Sequence, residues 1–265
     1  MRVALLQIAS PDAESLDDRI SRVDALVHAE QSLAEADLLV LPELWAVGGF
    51  HFDEYAKAAE PLDGRTAAIA RTWAAHYDLH VHTGSFVERG ADGALFNTSL
   101  LISPRGDVLT TYRKVHLFGA DEAREMTPGS ELAVAEVDGV TTALATCYDL
   151  RFPELFRSIL DAGATMTVVC SAWPEARADH WRLFTSTRAV EEQMYVIACN
   201  STGTQNGAPM AAASRVVDPW GAVVVEAGAE EGFTYADVDA ELPSKTRARF
   251  PAVADRRWPL HAASS

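Results

Sequence analysis

Residues 142–154 read Thr142-Ala-Leu-Ala-Thr-Cys147-Tyr-Asp-Leu-Arg-Phe-Pro-Glu154. The apolar run before Cys147 is typical of a buried strand, and Pro153 suits the first turn of a helix. The spacing predicts that helix over 153–161 and a second buried strand over 164–171. A strand, a helix and another strand in this order indicate an α/β fold.

The same alternation extends towards the N-terminus. Apolar runs predict strands at 3–8, 38–42 and 79–87, and helical spacing predicts helices at 16–27 and 64–76. A hairpin is predicted at 96–102 and 108–112, because Ser103-Pro-Arg-Gly-Asp107 has the chemistry of a turn.

The later part of the chain is richer in strands. After a helix at 179–193, strands are predicted at 195–200, 213–217, 222–225 and 233–238 without helices between them. We therefore expect two packed mixed sheets flanked by helices, a layered α/β sandwich, in one domain over residues 1–265. Pro243, Pro251 and Pro259 predict an extended tail over about 241–265.

The composition restricts the kinds of molecule that this protein is expected to bind. The formal net charge of −16 disfavours nucleic acids and anionic membranes. No apolar stretch reaches the ~18 residues of a membrane helix, and the first apolar run is too short for a signal peptide. The three cysteines, Cys147, Cys170 and Cys199, do not form a disulfide framework, so we expect a reducing, cytoplasmic location.

Cys147 is the first candidate for chemistry. It stands where a strand ends and a helix is about to begin, which exposes a side chain beside backbone N–H groups. A helix N-terminus also favours thiolate over thiol. The alternative is a buried, unreactive cysteine, since free cysteines are commonly buried.

Two further residues are weaker candidates when taken singly. Glu43 follows the apolar run 38–42, at the edge where α/β sheets bind ligands, although a surface ion pair would also explain it. Lys114 follows the predicted hairpin beside apolar residues, and a lysine at a strand edge is the alternative.

Together these segments resemble the nitrilase superfamily of carbon–nitrogen hydrolases. The motifs are Leu41-Pro-Glu43, Tyr112-Arg-Lys-Val-His-Leu117 and Cys147-Tyr-Asp-Leu-Arg-Phe-Pro-Glu154, in that order. Weaker similarity runs through Gly84-Ser-Phe86, Phe96-Asn-Thr-Ser99, Thr187-Arg-Ala189 and Ser214-Arg-Val-Val-Asp-Pro-Trp-Gly221. The resemblance implies an α-β-β-α sandwich and a thiol-dependent hydrolase of carbon–nitrogen bonds other than peptide bonds.

The resemblance also implies roles for the three residues. Cys147 would attack the amide carbon, Glu43 would act as base and acid, and Lys114 with the backbone N–H of Tyr148 would stabilise the oxyanion. A second family glutamate precedes a Pro-Gly turn. Glu122 matches its offset from Gly129 and is favoured over Glu125 as an orienting group.

Tyr148 after the cysteine is more similar to the amidase branch related to ω-amidases than to true nitrilases. In that branch an arginine at the position of Arg151 can bind a substrate carboxylate; the alternative is an arginine that braces the cysteine loop against Glu154. Trp173 is expected either to wall the substrate pocket or to pack in the core. Residues 174–181 and Glu192 depart from well-known relatives, which leaves the substrate open.

The expected substrate is a small amide, and ω-carboxylated amides are one class. An N-carbamoyl amidohydrolase is the alternative enzyme, and a non-catalytic binding protein or scaffold with the same fold is the alternative from another class. No cofactor and no metal are expected, since His80 and His82 have no third ligand at a suitable spacing. The resemblance implies a homodimer or a higher even oligomer, with the tail crossing to a neighbouring subunit.

Overall fold

The computed structural model describes residues 1–257, and its elements follow the predicted alternation. The strands are β1 (Arg2–Gln7), β2 (Leu38–Val40), β3 (His80–His82), β4 (Phe86–Arg89), β5 (Leu95–Ile102), β6 (Val108–Arg113), β7 (Val134–Val137), β8 (Val140–Thr146), β9 (Met166–Ser171), β10 (Tyr195–Asn200), β11 (Thr204–Gln205), β12 (Ala208–Pro209), β13 (Arg215–Val217), β14 (Val223–Glu226) and β15 (Gly232–Asp237). The helices are α1 (Leu16–Ala29), α2 (Tyr55–Ala58), α3 (Arg65–Tyr77), α4 (Gly119–Glu125), α5 (Pro153–Asp161), α6 (Ala178–Glu192) and α7 (Leu242–Arg249).

Two mixed sheets form the centre of the molecule. The first has the order β15-β1-β2-β3-β5-β4, with β6 paired to β5, and its strands β1, β2 and β3 are parallel. The second has the order β14-β13-β10-β9-β8-β7, with β8, β9 and β10 parallel. The carboxyl ends of β2, β8 and β9 lead directly into the loops that carry the candidate site.

Successive side chains along each strand point to opposite faces of the sheet, and this divides the core into layers. In β1, Val3 and Leu5 pack against the second sheet, whereas Ala4 and Leu6 face α1 and α3. A further cluster joins the outer face of the second sheet to α5 and α6. The order of layers is therefore helix, sheet, sheet, helix, and the predicted α-β-β-α sandwich is confirmed.

The single strand predicted over 79–87 is wrong. The chain forms β3 and β4 separately, and both pair with β5, which lies between them. Gly84 turns the backbone between them at a φ of 67°. A Cβ atom on Gly84 would lie 2.1 Å from the carbonyl oxygen of Pro42, so only glycine allows this close approach.

Two segments are more helical than the sequence indicated. Residues in the predicted loop before Gly129 form α4, and the predicted extended tail forms α7 over Leu242–Arg249. Pro243 lies in the first turn of α7, where proline is tolerated, so it marks a helix start and not an extended chain. The end of the predicted tail, 258–265, lies outside the described residues.

No helix within residues 1–257 is both long enough and apolar enough to cross a membrane.

Candidate active site

The candidate site forms where loops from both sheets meet. Glu43 follows β2 and Cys147 follows β8, while Lys114 comes directly after β6. The backbone N–H of Glu43 donates to the carbonyl oxygen of Ser171 over 3.4 Å, which joins the two sheets at this point. Residues that are far apart in the sequence are therefore brought together by the packing of the sheets.

Lys114 lies between two carboxylates. Its Nζ donates to Oε1 of Glu43 over 2.7 Å and lies 3.0 and 2.9 Å from the two carboxylate oxygens of Glu122. All three side chains are buried. Burial alone lowers the pKa of Lys114, but the charges of Glu122 and Glu43 outweigh it and hold that pKa well above its ordinary value. Lys114 is therefore a permanent cation at the base of the site.

Glu122 is the acidic residue that α4 brings to Lys114. It also accepts a hydrogen bond from the backbone N–H of Phe118, which fixes the start of the helix. Glu125 lies at the end of α4 and is half-buried. The structure thus places the residue favoured by the sequence, Glu122, beside the lysine.

Asn97 belongs to the site, although no role was predicted for it. From β5 its Nδ2 donates to Oε1 of Glu43 over 2.9 Å and to Oε1 of Glu122 over 3.0 Å. The remaining oxygen of Glu43, Oε2, accepts from the backbone N–H of Ala172 over 2.9 Å. The one available signal was an amide side chain within a buried strand, in Phe96-Asn-Thr-Ser99.

Cys147 begins a 3₁₀ turn, Cys147–Arg151, with a φ of 47°. This left-handed conformation is unusual for a residue with a side chain, so the surrounding contacts must hold it. Asp149 supplies several of them. Its buried carboxylate accepts from the Tyr112 hydroxyl over 2.6 Å, from the Thr146 N–H over 2.9 Å and from the His116 N–H over 3.0 Å.

The environment of Cys147 favours the thiol over the thiolate. The side chain is buried, and burial raises the pKa of its thiol well above the ordinary value. The charge of Glu43 raises the pKa further, and Lys114 only partly opposes it. The helix-end effect that favours thiolate is therefore outweighed, and ionisation of Cys147 requires a proton acceptor.

Cys147 lines a cleft that brings together the predicted catalytic and substrate-binding residues. Tyr148 contributes to an aromatic wall, with its ring edge-on to Phe118 at 5.4 Å. The residues that line the cleft are Glu43, Gly49, Phe50, Phe52, Lys114, Phe118, Glu122, Cys147, Tyr148, Arg151, Ala172, Trp173, Pro174 and Arg177.

Arg151 faces this cleft. Its guanidinium lies 5.0 Å from the ring centre of Trp173 and 5.2 Å from that of Phe184, and Nη2 lies 3.3 Å from Nδ1 of His180. Glu154, the alternative partner, is exposed on the first turn of α5. Among residues 1–257, Arg151 has no carboxylate within 4.0 Å.

Trp173 both lines the cleft and packs in the core. Its ring lies 5.8 Å from that of Trp181, and its indole N–H donates to the carbonyl oxygen of Arg177 over 2.8 Å. Trp173 was expected either to line the pocket or to pack in the core, and in the structure it has contacts of both kinds. Arg177, at the start of α6, was missed by the sequence reasoning. The only feature of the sequence that could have indicated Arg177 is its place in 174–181, the segment that departs from well-known relatives.

His80 and His82 lie on β3, away from the cleft residues. In the described part of the chain, no group of three or more His, Cys, Asp or Glu side chains is arranged to hold a metal ion. His82 is fully buried, which lowers its pKa to about 3.

Comparison with known proteins identifies the family of the chain. The family model described as Carbon-nitrogen hydrolase matches residues 2–248. The chain belongs to the carbon–nitrogen hydrolase family. The predicted resemblance to the nitrilase superfamily is thereby confirmed, and this carbon–nitrogen hydrolase acts on carbon–nitrogen bonds other than peptide bonds.

Individual relatives of the carbon–nitrogen hydrolase cover almost all of it. It is 36% identical to a 2-oxoglutaramate amidase of Paenarthrobacter nicotinovorans, over 98% of this chain and 91% of that protein. It is 36% identical to a 2-oxoglutaramate amidase of Bacillus subtilis, over 92% of this chain and 93% of that protein. A CN-hydrolase superfamily protein from Xanthomonas campestris has a similar structure, with a TM-score of 0.89, 29% identity and 99% coverage of both chains.

Proposed function

We propose that the chain hydrolyses the ω-amide of a small dicarboxylic acid to the dicarboxylate and ammonia, through a thioester on Cys147. The observation that carries the proposal is the cleft itself. Its lining contains Cys147, Glu43 and Lys114 together with Arg151, which has no acidic partner among residues 1–257. A substrate with an amide at one end and a carboxylate at the other matches this pair of features.

Proton transfer begins the reaction. Because Cys147 is a thiol at rest, Sγ gains nucleophilicity only as its proton leaves, and Glu43 is the carboxylate beside it in the cleft. Bonds from Ala172 and Asn97 hold both oxygens of Glu43 in place. Glu43 therefore takes the thiol proton as Sγ attacks the amide carbon.

The tetrahedral intermediate carries a negative oxygen. We assign its stabilisation to the Lys114 ammonium and the backbone N–H of Tyr148, which follows the nucleophile at the start of the 3₁₀ turn. Removing one such donor typically lowers the rate by about 10²–10³. Glu122 accepts from Lys114 and so holds the ammonium in position.

Glu43 also transfers the proton in the remaining steps of the catalytic cycle. The intermediate collapses as the C–N bond breaks, and Glu43 returns its proton to the leaving nitrogen, which departs as ammonia. Glu43 then takes a proton from water, the oxygen attacks the thioester carbon and the C–S bond breaks. The proton returns to the Cys147 sulfur, which restores the starting enzyme.

Arg151 is assigned to the substrate carboxylate. A guanidinium forms two parallel hydrogen bonds to a carboxylate, and the aromatic rings around Arg151 limit its hydration. The two relatives named 2-oxoglutaramate amidase support a substrate that is the ω-amide of a 2-oxo dicarboxylic acid. The volume of the cleft, about 380 Å³, supports a small substrate.

An ammonia-release screen tests the proposal. Short monoamides of dicarboxylic acids, with and without a 2-oxo group, are compared with neutral amides of the same length. We expect kcat/KM to be higher for the anionic amides, and Arg151→Met to remove most of that advantage. Release of carbon dioxide together with ammonia from N-carbamoyl compounds would favour the alternative carbamoyl hydrolase, and no turnover of either class would favour a binding protein.

Assembly is part of the proposal. Several large apolar side chains are exposed on or near α6, and the ring centres of two of them, Trp220 and Phe250, lie 6.4 Å apart. This surface supports a homodimer or a higher even oligomer. The proposal also includes one domain in each subunit, a cytoplasmic location and a tail that crosses to a neighbouring subunit. Light scattering at micromolar concentration tests it, since a monomer would contradict this assembly. The exposed residues are Leu183, Val190, Trp220 and Phe250.

A further inference from the structure

A second arginine, Arg177, lines the same cleft as Arg151. It ends the short 3₁₀ turn Glu175–Arg177 and leads into α6. Its guanidinium lies 5.3 Å from the ring centre of Phe118, which also lines the cleft. The side chain is half-buried, so its charge is partly removed from bulk water.

The backbone around Arg177 is fixed. Its N–H donates to the carbonyl oxygen of Pro174 over 3.0 Å, and its own carbonyl oxygen accepts from the Trp173 indole over 2.8 Å. These bonds involve only the main chain of Arg177. The guanidinium is therefore held at the cleft by its backbone and by Phe118, and it is not needed to hold the loop.

Neither cleft arginine is neutralised. In the part of the chain that the structure describes, Arg151 and Arg177 have no carboxylate within 4.0 Å. By contrast, two arginines on α6 have a carboxylate partner. Arg182 lies 3.0 Å from Glu226, and Arg188 lies 2.7 Å from Glu191. Two uncompensated guanidiniums in one cleft are notable in a chain with a net charge of −16.

We propose that Arg177 is a specificity residue that binds the anionic end of the substrate together with Arg151 and excludes substrates that carry an ammonium group there. The inference rests on the proposed function and names the substrate class more narrowly. A 2-oxo acid offers a carboxylate and an adjacent carbonyl oxygen, so two guanidiniums can each donate to it. A 2-amino acid places a positive charge beside both guanidiniums and is repelled.

Kinetics of Arg177→Met test the proposal, because methionine keeps an apolar stem over Phe118 and removes the charge. The substrates are a 2-oxo ω-amide, its 2-amino counterpart, the unsubstituted monoamide and a neutral amide of equal length. Arg182→Met is the matched control, since it removes one positive charge from α6 outside the cleft.

We expect Arg177→Met to raise KM for the 2-oxo ω-amide about tenfold, with kcat changed much less. The preference for the 2-oxo over the 2-amino substrate should fall by a similar factor, and Arg177→Lys should restore part of it. Arg182→Met should leave both ratios as in the wild type. A purely structural role would lower kcat/KM for all four substrates equally.

The two proposals fail in different ways. If the wild type hydrolyses the neutral amide as well as the anionic ones, the proposed substrate class is wrong. If the wild type prefers the anionic amides but Arg177→Met keeps the wild-type ratio of 2-oxo to 2-amino turnover, the role of Arg177 is wrong and the proposed function stands.

Discussion

Nζ of Lys114 lies 2.7 Å from Oε1 of Glu43, although 71 positions separate the two residues in the chain. Glu122 approaches the same ammonium from α4, so one buried cation faces two buried carboxylates. Such a cluster is stable only when its geometry is good and further hydrogen bonds satisfy the carboxylate oxygens, as those from Asn97 and Ala172 do. Activity and stability should therefore both depend on Lys114.

Lys114→Met should remove most of the activity and lower the free energy of unfolding by ~3 kcal/mol, because it leaves Glu43 and Glu122 buried without a cation. Ammonia release and denaturant unfolding measure the two effects. Lys245→Met is the control, since Lys245 forms only exposed ion pairs and its loss should leave the unfolding free energy nearly unchanged. Wild-type stability in Lys114→Met would show that Lys114 does not stabilise the two buried carboxylates.

Glu43→Gln should reduce amide hydrolysis by about 10²–10⁴, since the proton acceptor is lost. The same change should lower the pKa of Cys147, because the charge of Glu43 is one of the groups that raise it. The pH at which a neutral alkylating reagent reacts half-maximally with Cys147 should thus shift downwards in the variant. An upward shift would show that Glu43 does not act on Cys147 through its charge.

Asn97→Ala should lower kcat by about tenfold, because one net hydrogen bond of roughly 1 kcal/mol to each glutamate is lost. The KM should change little, since Asn97 is not among the residues that line the cleft. Ser99→Ala on the same strand is the control, because its buried hydroxyl has no hydrogen-bond partner within residues 1–257. Equal kinetics in the wild type and Asn97→Ala would remove Asn97 from the positioning of the glutamates.

His82 predicts a pH dependence of stability. Its pKa is about 3 in the folded protein, against 6.5 ordinarily, so the unfolded state binds a proton that the folded state does not. The free energy of unfolding should therefore fall progressively as the pH drops from 6.5 towards 3, by up to ~5 kcal/mol from this residue.

Comparison of the wild type with His82→Asn isolates this effect, since the other titrating groups are common to both. The difference in unfolding free energy between the two proteins should change with pH only below about 6.5. A difference that stays constant from pH 8 to pH 4 would contradict a neutral, buried His82.

The sequence predicted that Glu43 and Cys147 each follow a buried strand because both strands have a clear apolar pattern, and that Lys114 follows a hairpin because residues 103–107 have turn chemistry. Asn97 and Arg177 were missed because their roles arise from contacts across the fold, and neither has a local pattern that marks it. Pro243 was misleading, since a proline suits both a helix start and an extended chain. The charge state of Cys147 was also beyond the sequence, as it depends on burial and on a glutamate more than 100 residues away.

The thioester on Cys147 is tested most directly by mass spectrometry of enzyme quenched with acid during turnover of a short ω-carboxylated amide. Such a thioester would increase the mass of the peptide that contains Cys147 by the mass of the substrate minus ammonia, and Cys147→Ala should lose both the adduct and the turnover. Turnover by Cys147→Ala at the wild-type rate, or an adduct on another residue, would contradict it.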